Sequence, residues 1–236
     1  MTPSNLAILS YEDTPLGPLC LRRRELLSAP GTVVTEVTLN HQLLMGSYNT
    51  VSERALAEIA LEMCQRPAMR VLVGGLGLGY TAQAALASER VAAVEVVELL
   101  PQVVGWLEDG LLPLAHELKS DPRFTPLVGD VYARLMASPT DRFDVVLVDV
   151  DHAPDDQLSE ANASFYTAEG IERAARHLSP GGVLGVWSYA ESPPFVRALR
   201  SVFADVRVEP VTYFNDLTEA EVTDWLFFAR EPGGAP

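Results

Sequence analysis

"MRVLVGGLGLGYTAQAALASERVAAVEVVE", Met69 to Glu98, is the stretch that decides the fold. It opens on an apolar run. It then breaks into a turn carrying Gly74, Gly75, Gly77 and Gly79. An alanine-rich segment follows, and a second apolar run ends on Glu98. Strand, tight turn, helix, strand is the unit that builds a parallel sheet. The strands are apolar at nearly every position, as expected when both faces are covered. The glycines let the backbone turn sharply and let a ligand approach the main chain. Close packing of a helix on a sheet would explain the same turn. Glu98 favours the ligand, because an acid ending the second strand, roughly 20 residues past the turn, accepts hydrogen bonds from ribose hydroxyls. Glu95, the competing acid, lies mid-strand and is expected to point elsewhere.

The pattern continues toward the C-terminus. "RFTPLVGD", "FDVVLVD" and "GGVLGVWS" read as further apolar strands. "LPQVVGWLED", "VYARLMA" and "TAEGIERAARHL" read as helices between strands. The expectation is an α/β, doubly wound, Rossmann-like sheet covered on both faces. "ADVRVEPVTYF" and "VTDWLFFARE" have no helix between them, so they should close the sheet as an antiparallel hairpin. A parallel sheet with such a hairpin resembles the fold of S-adenosylmethionine-dependent transferases. Dehydrogenases usually lack the hairpin.

Toward the N-terminus the runs shorten. "NLAILSYE", "GPLCLRRREL", "TVVTEVTLN" and "QLLMGS" alternate with turn residues and predict two hairpins in a small β module. "TVSERALAEIALEMCQ" has helical spacing at Ala55, Leu56, Ile59, Ala60 and Met63, with Thr50 or Ser52 as N-cap. The expected division is a β-hairpin module over 1–50 and a nucleoside-binding transferase domain over 51–236.

Composition excludes several classes. The net charge is −15 and the pI about 4.6, which leaves no basic surface for nucleic acid. The 48% hydrophobic content is enough for a substantial core. No stretch is apolar and long enough to span a membrane. The N-terminus lacks the basic and apolar regions of a signal peptide. Cys20 and Cys64 form no metal or redox motif and read as reduced thiols of a cytoplasmic protein.

Two further strand ends carry acids. In "LVGDVYARL", Asp130 either caps the following helix or, in a nucleoside site, reaches the adenine amino group. "VVLVDVDHAPDD", Val145 to Asp156, runs from an apolar strand into Asp149, Asp151, His152, Asp155 and Asp156. Asp155 and Asp156 read as solvated loop residues. A cation site is the rival reading of this loop, but its spacing matches no defined metal loop, and no metal is expected. His41, His116 and His177 join no constellation. Tyr48, Tyr80 and Trp187 are candidates to line a pocket or to fill the core.

Together these residues resemble the spermidine synthase family, the polyamine aminopropyltransferases. They are most similar to the bacterial spermidine-synthase-like branch with a "GGLG" turn, a "VELLP" strand end and a "DVD" motif. The resemblance implies that Glu98 holds the ribose and Asp130 contacts the adenine. It implies that Asp149 accepts a proton from the attacking amine. Asp151 or His152 stands nearest to the second acid of the family motif, with Asp151 taken as catalytic helper and His152 and Tyr80 as substrate-binding residues. It further implies a small-molecule amine acceptor, a homodimer, and S-adenosylmethionine or its decarboxylated form as co-substrate. Two positions depart from the family. Its glycine turn carries an aspartate where Gly77 stands, and its N-terminal helix carries a Tyr-His pair where Leu56 and Ala57 stand. The rival functions are methyl transfer from the same nucleoside pocket and nucleoside binding without catalysis.

Overall fold

A computed structural model describes residues 6–150, 153–156, 160–215 and 219–230. The N-terminal module is a four-stranded antiparallel sheet: β1 (Leu6–Thr14), β2 (Gly17–Glu25), β3 (Val33–Leu39) and β4 (Gln42–Gly46). The two expected hairpins are joined, because β2 also pairs with β3, from Leu19↔Leu39 to Glu25↔Val33. Glu36 is buried in this sheet and is clamped by Arg22 and Arg24, the basic run of "LRRREL". Helix α1 (Val51–Met63) follows. Thr50 is its N-cap by position, but its side chain makes no capping bond, and Ser52 lies inside the first turn.

The second sheet has seven strands: β5 (Met69–Gly74), β6 (Val91–Glu98), β7 (Phe124–Val128), β8 (Phe143–Val148), β9 (Leu178–Ser188), β10 (Asp205–Asn215) and β11 (Ala220–Arg230). Their order is β10-β11-β9-β8-β5-β6-β7. The five central and edge strands β5 to β9 run parallel. β10 and β11 form the expected closing hairpin, with β11 antiparallel to β9. The helices α2 (Tyr80–Leu86), α3 (Pro101–Glu108), α5 (Val131–Met136) and α6 (Ala168–Ala175) fall on the segments read as helical. The short α4 (Ala115–Ser120) and the proline-led α7 (Pro193–Val202) lie outside those segments.

Strand periodicity divides the core into two layers. Val71 and Val73, Val145 and Leu147, and Leu226 and Phe228 face α1, α2 and the N-terminal sheet. Leu72, Val146, Val148, Phe227 and Ala229 face α5, α6 and α7. Alternate side chains of a strand point to opposite faces, so a strand apolar throughout serves both layers.

From β5 the chain proceeds outward to β6 and β7, then returns to the other side of β5 with β8 and β9. The strand order therefore reverses between β5 and β8. A crevice opens at such a point outside the carboxyl ends of the strands, and ligands bind there in sheets of this kind.

Candidate active site

The crevice is a cavity of about 370 Å³. Its floor is the turn after β5, with Gly75, Leu76, Gly77, Leu78 and Gly79, together with Glu98 and Asp149 at the ends of β6 and β8. The N-terminal sheet roofs it with Leu39, Leu43, Leu44 and Met45. Glu53, Ser52, Trp187, Tyr213 and Asp224 form one end.

Gly75 is required for the floor to close. Its φ is +92°, and an added Cβ would lie 2.2 Å from the Asp149 carbonyl oxygen. That contact follows from the pairing of β5 with β8, where the Asp149 N–H donates to the Gly74 carbonyl at 2.9 Å. Gly77 has φ +53° and faces Met45, whose Sδ would be 3.1 Å from a Cβ there. Gly74 is not a lining residue and packs against Val131 instead.

Glu98 is buried beneath the turn. The Leu76 N–H donates to Oε2 at 2.9 Å and the Leu100 N–H to Oε1 at 2.8 Å. The N–H groups of Gly77 and Leu99 also point at it. Burial pushes its carboxyl above the usual carboxylate range, against the pull of these donors. Glu95 points away, as expected, and pairs with Arg134.

Asp149 lies at the centre of the floor. The Thr81 hydroxyl, from the first turn of α2, donates to its Oδ2 at 2.7 Å. Burial raises its pKa to about 6, Thr81 opposes the shift, and Asp224 adds to it. Glu53, from the first turn of α1, is pushed up to about 8 by burial and then by the Asp149 charge. A proton shared between the two acids therefore rests preferentially on Glu53, and Asp149 ionises first. Like charges sharing a desolvated site separate in this way, because they cannot all ionise together.

Asp224 is the third acid of that end and is 3% exposed. The Ser52 hydroxyl donates to its Oδ2 at 2.6 Å, and Trp187 Nε1–H donates to the same hydroxyl at 3.0 Å. The Tyr213 hydroxyl also bonds to it. Tyr80 lines the cavity, with the Arg54 guanidinium 5.0 Å from its ring centroid.

The remaining expected residues are placed as follows. Asp130 is exposed and caps α5, its Oδ1 accepting from the N–H groups of Tyr132 at 2.8 Å and Ala133 at 3.1 Å. It is not among the lining residues. Asp151 and His152 lie outside the described residues. Asp155 and Asp156 are exposed, yet both have partners. Ser192 Oγ donates to Asp155 and the Tyr189 hydroxyl to Asp156, each at 2.9 Å, which fastens this loop to the segment after β9. Leu56 and Ala57 are fully buried in the core. Sequence reasoning did not single out Ser52 as a cavity residue, nor Tyr213 or Asp224 at all. Among the described residues, no group of three His, Cys, Asp or Glu side chains is placed to hold a metal ion.

No family model matches the chain. It is 34% identical over 122 residues to polyamine aminopropyltransferase 2 of Streptomyces coelicolor, a match covering 51% of this chain and 21% of that protein. The matched segment thus spans about a fifth of the length of that relative. Among solved structures it is similar to a spermidine synthase in complex with the transition-state analogue AdoDATO. That likeness has a TM-score of 0.73 and 17% identity, and covers 96% of this chain and 73% of the other. It is also similar to spermidine synthase from Thermotoga maritima, with a TM-score of 0.74 and 17% identity over 96% of this chain and 74% of that one. The resemblance read from the glycine turn and the strand-end acids is therefore borne out, and the chain has the fold of the spermidine synthases.

Proposed function

We propose that this chain is a transferase that binds an S-adenosyl donor in the crevice and transfers an aminopropyl-type group to a small amine. The observation that carries this reading is the meeting of Glu98, the glycine turn and Asp149 in one cavity at the point where the strand order reverses. The polyamine aminopropyltransferase relative and the spermidine synthase fold support it.

In this reading Glu98 accepts from the ribose hydroxyls, and the backbone turn around Gly75, Gly77 and Gly79 lies along the donor. Asp130 approaches the adenine from the rim. Asp149 takes the proton that the acceptor amine gives up as its nitrogen bonds the carbon next to the sulfonium. The carbon–sulfur bond breaks, the sulfur keeps the electron pair, and methylthioadenosine leaves. A base with a pKa near 6 is ionised at neutral pH and still basic enough to assist. Asp151 helps Asp149, while His152 and Tyr80 orient the amine. Positioning supplies much of the rest of the rate.

The donor's tail lies near Gly77 and Met45, and position 77 itself carries no side-chain carboxylate. A site without that charge does not repel the carboxylate of S-adenosylmethionine, so the chain accepts this donor as well as the decarboxylated one. We take the protein to be cytoplasmic and homodimeric. β1 stands at one end of the order of its sheet and carries exposed Ile8 and Tyr11, the kind of position that proteins cover.

The test is product analysis with either donor and a panel of amines. Methylthioadenosine is the expected product. S-adenosylhomocysteine would instead establish methyl transfer, and nucleoside binding with neither product would establish a silent binder.

A further inference from the structure

Asp224 stands apart from its strand. It shares a face of β11 with Leu226 and Phe228, both fully buried. Four elements converge on it or on its partner: Ser52 from α1, Trp187 from β9, Tyr213 from β10, and β11 itself. Burying a carboxylate is costly unless it is paired and hydrogen-bonded. Hydrogen bonds are present, but among the described residues no basic side chain is ion-paired with Asp224, Asp149 or Glu53. Arg54, next to Glu53 in sequence, is turned to Gln83 and the Tyr80 ring. The cavity end thus presents three acids and the rings of Trp187, Tyr213 and Tyr80. An organic ammonium would satisfy both the acids and the rings.

Position separates the tasks of the two acids that line this end from the sheet. Asp149 ends β8, against the glycine turn. Asp224 is in β11, two strands away across β9. Ordinary strand spacing puts their backbones roughly 10 Å apart. Backbones set that far apart suit the two ends of one short chain, one at each acid. We propose that Asp224 is a specificity-determining residue that holds the non-reacting ammonium of a diamine acceptor, with Ser52 and Tyr213 fixing its carboxylate. The closing hairpin in this way supplies polar equipment that positions 56, 57 and 77 lack. The inference rests on the amine-transfer reading above.

The experiment is steady-state release of methylthioadenosine with an aliphatic diamine and with the monoamine of equal chain length. Asp224→Asn is expected to raise KM for the diamine about tenfold or more, as for loss of a hydrogen bond to a charged group. The readout is the diamine-to-monoamine ratio of kcat/KM, because Asp224 also acts on the Asp149 charge and a change in the base moves both amines alike. Tyr213→Phe should shift the diamine KM in the same direction by less. Methylthioadenosine affinity, measured alongside, should not change. Equal losses with both amines, or a folded Tyr213→Phe variant with an unaltered diamine-to-monoamine ratio, would overturn the proposal. If the wild type releases no methylthioadenosine with any amine, the transfer reading fails on its own. Calorimetry of the diamine then still decides the role of Asp224. Weaker binding to Asp224→Asn supports it, and equal binding overturns it.

Discussion

The two ends of the crevice are built differently. The end proposed for the nucleoside is made mostly of backbone. Glu98 is held by main-chain N–H groups, and Gly75 lets that main chain touch the carbonyl of Asp149. Everything there lies within, or one strand from, a single βαβ unit. The end proposed for the amine is made of side chains from α1, the end of β8, β9, β10 and β11, far apart in sequence. A backbone cradle tolerates little change, because each donor is fixed by the fold. A cage of side chains can change its specificity without moving the sheet. Of the positions that depart from the family pattern, Leu56 and Ala57 are buried in the core and Gly77 lies in the backbone turn, so none of the three belongs to the side-chain cage.

The largest expected effect comes from the acid at the junction of the two ends. Asp149→Asn keeps the shape and the Thr81 contact but removes the proton acceptor. Turnover should fall roughly 10²- to 10⁴-fold, with methylthioadenosine affinity nearly unchanged. A chelator-sensitive activity that survives the substitution would assign the acid to a cation instead.

Gly77→Asp probes the boundary from the other end. The new Cβ meets only the flexible tip of Met45, and aspartate tolerates left-handed backbone better than most residues. The preference between donors should move about tenfold toward decarboxylated S-adenosylmethionine, measured as the ratio of affinities. An unmoved ratio would detach this position from the donor tail.

A smaller effect is expected in stability against pH. In the folded chain, burial first and the Asp149 charge second lift Glu53 from 4.5 to about 8. The folded state therefore binds this proton more tightly than the unfolded one. The associated stability is complete below pH 4.5 and is lost as pH rises through about 8. The melting temperature of the ligand-free protein should fall across that range, and Glu53→Gln should flatten the fall. Parallel curves for the two proteins would remove Glu53 from the acidic cluster.

The smallest expected effect belongs to the rim. Asp130→Ala removes the cap of α5 and should cost about 1 kcal/mol in denaturant unfolding. If Asp130 also reads the adenine, the same variant narrows the affinity gap between adenosyl and inosyl ligands. A stability loss with an unchanged gap leaves it as a cap alone.

The same division explains what could be read from the sequence. Strand periodicity and the glycine turn are local signals, so the sheet, its closing hairpin and the meeting of the turn with Glu98 were legible. Asp224 was not, although "VTDWLFF" holds its signal, an acid in phase with Leu226 and Phe228 on a buried face. Its meaning depends on Ser52, 172 residues away, and on the register that sets β11 against β9. The helices α4 and α7 were missed for a simpler reason. One is a single short stretch of mixed polarity, and the other begins with two prolines, which read as a break but suit the first turn of a helix.

The most direct test is a calorimetric titration of methylthioadenosine into the wild type and Glu98→Gln. One saturable site is expected in the wild type. In the variant the affinity should fall about tenfold or more, because a charged acceptor at the ribose is replaced by a neutral one. No binding to the wild type, or equal binding to a folded Glu98→Gln variant, would contradict the claim that this crevice is a nucleoside site.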